Sequence, residues 1–288
     1  RKSIQLGQIM NLNLKKESLR KVNETLQSID RKSNKKIFKI SNPDGNHAIC
    51  AGLKDEIEVT IDGHTGYYCA GMNMNANIIV NGNVGTGVAE NMMSGTVHVK
   101  GNASQSAGAT AHGGTLIIDG DTSSRCGISM KGIDIIVKGS VGHMSAFMAQ
   151  SGNLVICGDA GDALGDSIYE ANIFIKGKVK SLGADCEEKK MNKKDQNILR
   201  SLLKKASINE SEIKNFKMYG SARKLYNFNI DNVSEYYWQK NLKLHQESLG
   251  HLMTILTLKF EELQKQVFMI LEVAVLKKDY LILMIFFF

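Results

Sequence analysis

The sequence predicts an all-β fold, a single-stranded right-handed parallel β-helix of seven 19-residue turns with α-helical caps at both ends. Two regularities predict it. Glycine recurs at Gly63, Gly82, Gly101, Gly120, Gly139, Gly158 and Gly177, every step being 19 residues. Two aliphatic columns travel with it. Four residues before each glycine stand Val59, Ile78, Val97, Leu116, Ile135, Leu154 and Ile173. Two before it stand Ile61, Val80, Val99, Ile118, Val137, Ile156 and Ile175. A spacing of two puts both columns on one face of a strand. One short strand per repeat cannot bury that face alone, whereas stacking equivalent strands does. At the usual strand spacing, seven turns rise about 30 Å. Each glycine then ends a strand, at a corner that needs either positive φ or close backbone approach. Seven residues later the chain is always small (Ala70, Ala89, Gly108, Gly127, Ala146, Gly165, Ala184), which lets the next corner pack inward.

Composition agrees with tightly turning backbone, since 27 glycines accompany a single proline. Residues 1–56 hold twelve basic against six acidic side chains, residues 57–186 seven against eleven, and residues 187–288 seventeen against twelve. The ordered middle is therefore mildly acidic and offers no basic stripe to nucleic acid. Five cysteines, with no CxxC pair, point away from a disulfide framework or a zinc site and toward a reducing cytoplasm. No signal peptide opens the chain. It begins at Arg1, and Met10 is a natural start.

The repeat divides the chain into four parts: an N-terminal helix and strand cap at 1–56, the β-helix at 57–186, a helical cap at 187–236 and a tail at 237–288. Leu14, Leu19, Val22 and Leu26 give residues 14–28 helical spacing. Ile37–Ile40 and Ala48–Leu53 read as strands around the turn Asn42-Pro43-Asp44-Gly45. Ile198, Leu199, Leu202 and Leu203 place a helix over 193–206. The apolar tail is broken by Lys277-Lys278-Asp279, so neither half reaches the roughly 18 residues of a membrane span. It reads as non-native: a plausible coding sequence for Val267–Phe288, shifted by two bases, yields IYDIRGGGFKKRLSHFDDLFF, which looks like the start of a flavin-domain subunit.

The outward column three residues before each glycine runs Thr60, Ile79, His98, Ile117, Ile136, Val155 and Phe174. Its apolar centre demands cover, either from the chain's own ends or from a partner subunit. Ile79, His98, Ile117, Ile136, Val155 and Phe174 are the candidate partner-facing row.

Chemistry is sparse. His47, His64, His98, His112, His143, His245 and His251 form neither HxH nor HExxH, and those within the repeat do not stack into a column. Cys69 and Cys126 share an offset but lie three turns apart, too far for a disulfide, and read as buried thiols. The glycine-rich runs Gly82–Gly87 and Gly158–Gly161 lack the following helix of a dinucleotide fingerprint, so repeat corners explain them better than phosphate binding. Asp159, Asp162, Asp166 and Glu170 read as a solvated acidic rim rather than an acid/base pair. Met72, Met74, Met92, Met93, Met130, Met144 and Met148, with Phe147, serve core filling or a subunit contact.

The segments GHTGYYCAGMN (63–73), GTGVAENMMSGTVHVKGNASQSAGAT (85–110), SRCGISMKGIDIIVKGSVGHMSAFMAQSG (124–152) and GDAGDALGDSIYEA (158–171) resemble the GXGXG domain, the β-helix at the C-terminus of the glutamate synthase large subunit. The stand-alone β-helix subunit of N-methylglutamate synthase is closer still, and YGSARKLYNFNIDN (219–232) resembles its C-terminal end. The resemblance runs from about Met10 to about Tyr236. It implies a non-catalytic scaffold that binds no cofactor, beside an amidotransferase-like subunit and an FMN-binding synthase-like subunit. The implied reaction converts methylamine and L-glutamate to N-methyl-L-glutamate and ammonia. Three alternatives stand beside it: a subunit of a glutamate synthase proper, a module like the β-helix subunit of formylmethanofuran dehydrogenase, and a free-standing carbohydrate-binding β-helix.

Overall fold

The computed structural model describes residues 9–28 and 37–224. Residues 225–236 of the C-terminal cap, the tail and the histidines at 245 and 251 lie outside them. Eleven strands form one sheet. Strands β1 (Ile9–Asn13), β2 (Ile37–Ser41), β3 (Glu58–Asp62), β4 (Asn77–Val80), β5 (Thr96–Val99), β6 (Thr115–Ile118), β7 (Lys131–Val137), β8 (Ser151–Ile156) and β9 (Asn172–Ile175) pair in parallel, in chain order. From β3 to β9 every coil advances by 19: Val59 pairs with Ile78, Ile78 with Val97 and so on to Leu154 with Ile173. The parallel β-helix of seven turns is therefore the observed architecture.

Both aliphatic columns point inward and are essentially solvent-free. They form one continuous core with Cys50, Cys69, Cys126 and the small residues of the corners. The glycines ending the strands are explained by close approach. Of the seven, Gly63 alone adopts positive φ. At Gly139 an added Cβ would lie 2.7 Å from the carbonyl oxygen of Gly120, and at Gly158 2.7 Å from that of Gly139. Each corner rests directly on the backbone beneath it, which leaves no room for a side chain.

The corners themselves alternate in handedness. Five, seven and nine residues after each strand-end glycine from Gly63 to Gly158, φ is positive. Residues 68, 70 and 72 stand at +59°, +56° and +55°, and Met144, Ala146 and Met148 repeat the pattern. Successive amides of this kind bond in opposite directions along the stack. Gly87 N–H donates to Gln105 on the next coil (2.9 Å), Ala89 to Cys69 on the previous one (2.9 Å), and Asn91 to Ala109 on the next (2.9 Å). From Ala70 to Gly165 the middle position is buried as well as left-handed, which favours alanine or glycine. This accounts for the small column in those six coils.

The N-terminal region departs from expectation in three ways. Strands β1 and β2 do not merely cap the solenoid but extend its sheet by two rungs, Phe38 pairing with Val59. Ala48–Leu53 is not a strand. Ala48, Cys50 and Gly52 have positive φ, and Ala70 N–H donates to Ile49, so the segment is the corner of an additional coil. Helix α1 (Leu19–Gln27), capped by Ser18, is shorter than its apolar spacing predicted. Asn23 bonds Ala48 and Cys50, and Gln27 bonds Ala51, so α1 closes the first corner from above.

The C-terminal helix α2 (Lys193–Lys205) matches the predicted span and starts with an Asn192–Asp195 capping box. It is not an end cap. Leu199, Leu202 and Leu203, with Phe216 and Met218, pack sideways onto Ile117, Ile136, Val155 and Phe174. The end is instead closed by strands β10 (Cys186–Lys189) and β11 (Lys217–Ser221), antiparallel additions in the order β9-β11-β10.

Close packing of corner on corner predicts that Gly139→Val loses about 2–4 kcal/mol, whereas Lys204→Ala on the exposed face of α2 stays within about 0.5 kcal/mol of the parent protein. Thermal unfolding of the two variants checks this, and equal melting temperatures contradict it.

Candidate functional site

On the outer sheet face, α2 and the 3-10 turn Glu210–Asn215 cover Ile117, Ile136, Val155 and Phe174. The chain's own C-terminal segment thus supplies the cover that these four candidates demanded, and they are not free to meet a partner. Ile79 is 39% exposed and His98 half-buried, so the uncovered part of the row lies toward the N-terminal end. A groove beside α2, lined by Asp134, Asn153, Lys194, Asn197, Ser201 and Lys205, is spanned by the Lys205–Asp134 ion pair (3.1 Å).

His98 joins a charged cluster. Its Nε2 lies 2.9 Å from Asp119, whose carboxylate also meets Lys138 at 2.7 Å and Lys100 at 3.5 Å. Partial burial pushes the Asp119 carboxyl up, but the Lys138 ammonium and the His98 ring outweigh it and hold it below its ordinary value. The same column continues at Asp62, lowered by hydrogen bonds from Asn81 and Lys39. No nucleophile accompanies His98 and Asp119, so the arrangement binds neighbouring coils together.

A second column, absent from the expectations above, lies one residue after each strand-end glycine: His64, Asn83, Asn102, Asp121, Ser140, Asp159 and Lys178. Each of the first six side chains accepts from the backbone N–H of its successor one coil on. Examples are Asn102 to Asn83 (2.8 Å), Ser140 to Asp121 (2.7 Å) and Lys178 to Asp159 (2.7 Å). Short acceptors in six consecutive repeats are the sequence signal for this ladder. It stops at Lys178, which has no acceptor to offer. The ladder also explains part of the acidic rim. Asp159 receives Lys178 N–H, Asp162 pairs with Lys180 (2.7 Å), Asp166 accepts from Ser167 and Ala184, and Glu170 pairs with Arg223 (2.9 Å).

Four of the five thiols are buried, and Cys157 is partly exposed. Burial pushes Cys69 up to about 11 and Cys126 up to about 12, opposed by the hydroxyls of Thr65 and Thr122. Cys50 is raised by burial and by neighbouring Cys69. These are poor nucleophiles at neutral pH. Among the described residues no group of three or more His, Cys, Asp and Glu could hold a metal ion, and no helix is long and apolar enough to cross a membrane.

The glycine-rich run Gly82–Gly87 has a steric explanation. Gly82 lies on the Gly63 carbonyl, Gly85 on the Gly66 backbone with the Tyr67 ring beside it, and Gly87 against the Tyr68 ring. Both rings are half-exposed and pack edge to face at 6.4 Å, with His47 stacked on Tyr67 at 4.5 Å. The methionines divide. Met92 and Met130 are core, whereas Met72, Met74, Met93 and Met148 are exposed on the corners.

No family model matches the chain. Protein GlxC of Rhizobium meliloti (strain 1021) is 55% identical over 218 residues, covering 76% of this chain and 96% of that protein. The chain belongs to the GlxC family.

The depressed Asp119 carboxyl has a definite pH consequence. A carboxylate whose folded value lies below its unfolded value of about 3.9 stabilises the fold above that pH and loses the contribution as pH falls through the folded value. Asp119→Asn should therefore lower the midpoint of denaturant unfolding at pH 7 and narrow its fall toward pH 2. A variant with the parent's full acid sensitivity contradicts the cluster's role.

Proposed function

We propose that this GlxC-family chain is the non-catalytic β-helix subunit of a glutamate-synthase-like multi-subunit enzyme. The finer assignment is N-methylglutamate synthase, in which the chain holds an amidotransferase-like subunit and an FMN-binding synthase-like subunit in register. The observation that carries this reading is the interior: seven coils filled by aliphatic columns, whose reactive side chains are spent on coil-to-coil bonds. A stack locked through both strands and corners suits holding partners at a fixed distance. The resemblance of the corner segments to the GXGXG domain supplies the link to glutamate synthase, and FMN belongs to the partner.

Affinity purification of the full-length chain from its native cells tests the proposal. The two partner subunits should co-purify, and the complex should form N-methyl-L-glutamate from methylamine and L-glutamate. Formation of L-glutamate from glutamine instead moves the assignment to a glutamate synthase proper. Turnover by the isolated chain, or recovery of the chain free of both subunits, refutes the scaffold role.

A further inference from the structure

The acceptor ladder at the corners is chemically uneven. Its rungs at Asn83, Asn102, Asp121, Ser140 and Asp159 are oxygen acceptors, which take a backbone N–H throughout the neutral and mildly acid range. The first rung is an imidazole. His64 Nδ1 accepts the Asn83 N–H at 2.9 Å. One coil earlier a second imidazole acts alike, His47 Nδ1 accepting the Tyr67 N–H at 2.9 Å. Gly66 leaves room for that ring, since a Cβ there would fall on it. Both imidazole rungs lie in the N-terminal coils.

A backbone N–H can only donate, so each Nδ1 must hold a free lone pair. Turning either ring over would set a carbon against the amide and leave it unpaired. Both rings are therefore neutral, with the proton on Nε2. A second proton makes Nδ1 a donor facing a donor, and the rung is lost. An imidazole ordinarily gains that proton near pH 6.5, so the rung stands above this range and falls as pH drops through it. Around His64, Asp62 is held by Lys39 (2.9 Å) and Asn81 (2.7 Å), and Asp44 lies exposed on the turn whose Gly45 N–H bonds the His64 carbonyl. Among the described residues neither carboxylate bonds the ring, and the next coil brings only Gly82 and Asn83 against it. His47 faces Gly66 and the stacked Tyr67 ring (4.5 Å), with Tyr68 edge-on to Tyr67. A protonated His47 would gain from the tyrosine face, which offsets its lost rung. His64 has no such ring against it. At His98 the sign is opposite, because protonation strengthens its pairing with Asp119 (2.9 Å).

We propose that His64 is a proton-operated latch between the first coils of the solenoid. Neutral, it ties its own corner to Asn83 on the next coil. Protonated, it releases that joint while the oxygen rungs from Asn83 to Asp159 stay closed. Neighbouring backbone bonds remain, Thr65 N–H to the Asn83 carbonyl (3.0 Å) among them, so mild acid loosens this corner and leaves the stack folded.

The test is amide exchange of the isotope-labelled full-length chain, followed by NMR at about pH 7.5 and about pH 5 and corrected for the intrinsic rate at each pH. Protection of the Asn83 amide should fall about fivefold or more at the lower pH, while that of Asn102 and Asp121, held by Asn83 and Asn102, changes by less than about twofold. His64→Asn puts the residue of the next two rungs at this position and should make Asn83 protection the same at both pH values. Should that variant unfold, the ring is read in the parent chain. Nitrogen–proton correlations of His64 should show a proton on Nε2 alone at about pH 7.5 and on both nitrogens at about pH 5. A proton on Nδ1 at the higher pH, or a ring still neutral at the lower, overturns the latch. So does parent Asn83 protection that ignores pH, a fall shared equally by Asn102 and Asp121, or a fall that persists in the folded variant.

Discussion

Every coil of this protein depends on the next for its backbone hydrogen bonds, at the corners as much as in the strands. A sheet alone would leave the turning segments to satisfy themselves or meet water. Here alternate left-handed residues aim successive corner amides up and down the stack, as Gly87, Ala89 and Asn91 do. That device sets the constant coil length. A residue inserted within a strand, with the neighbouring register kept, would turn that strand's inward side chains outward. It also sets the composition: the buried left-handed positions take small residues, Cys50, Ala70, Ala89 and Ala146 among them, and a corner resting on the carbonyl beneath takes glycine.

Much of this was legible in the chain itself, because constant register turns three-dimensional columns into periodic sequence columns. The inward pairs Val59/Ile61 through Ile173/Ile175 and helix α2 appear where their spacing placed them. What escaped did so for physical reasons. The coil before β3 is hidden because Phe38 and Val59 stand 21 residues apart, which breaks the period. Ala48–Leu53 has the aliphatic content of a strand, and side-chain type does not reveal the left-handed backbone at Ala48 and Cys50. Strand β10 has the sequence CEEK, which carries no alternation to read. The position of α2 is a tertiary matter. Its apolar face says that it must pack, and only the uncovered Ile117, Ile136, Val155 and Phe174 say where.

The candidate site was less legible than the fold. The glycine run Gly82–Gly87 invites a nucleotide, yet its glycines make room for a carbonyl and two tyrosine rings. The carboxylates Asp121 and Asp159 invite catalysis, yet they accept backbone amides one coil away. Residue type alone does not separate a catalytic group from one holding the stack together; that needs the partner atom. Once these groups are assigned to the frame, the exposed tyrosines and methionines between residues 67 and 93 remain as the part of the surface the frame does not require.

Native-state hydrogen exchange tests the central constraint most directly. If the corners are held by the stack, the amides of Ala89, Gly108, Gly127 and Ala146 exchange within about tenfold of the strand-end amides of Asn81, Lys100, Asp119 and Lys138. Corner amides that exchange a hundredfold or more faster, at rates near those of open loops, would mean that the strands alone hold the solenoid together and that coil-to-coil bonding at the corners does not constrain the fold.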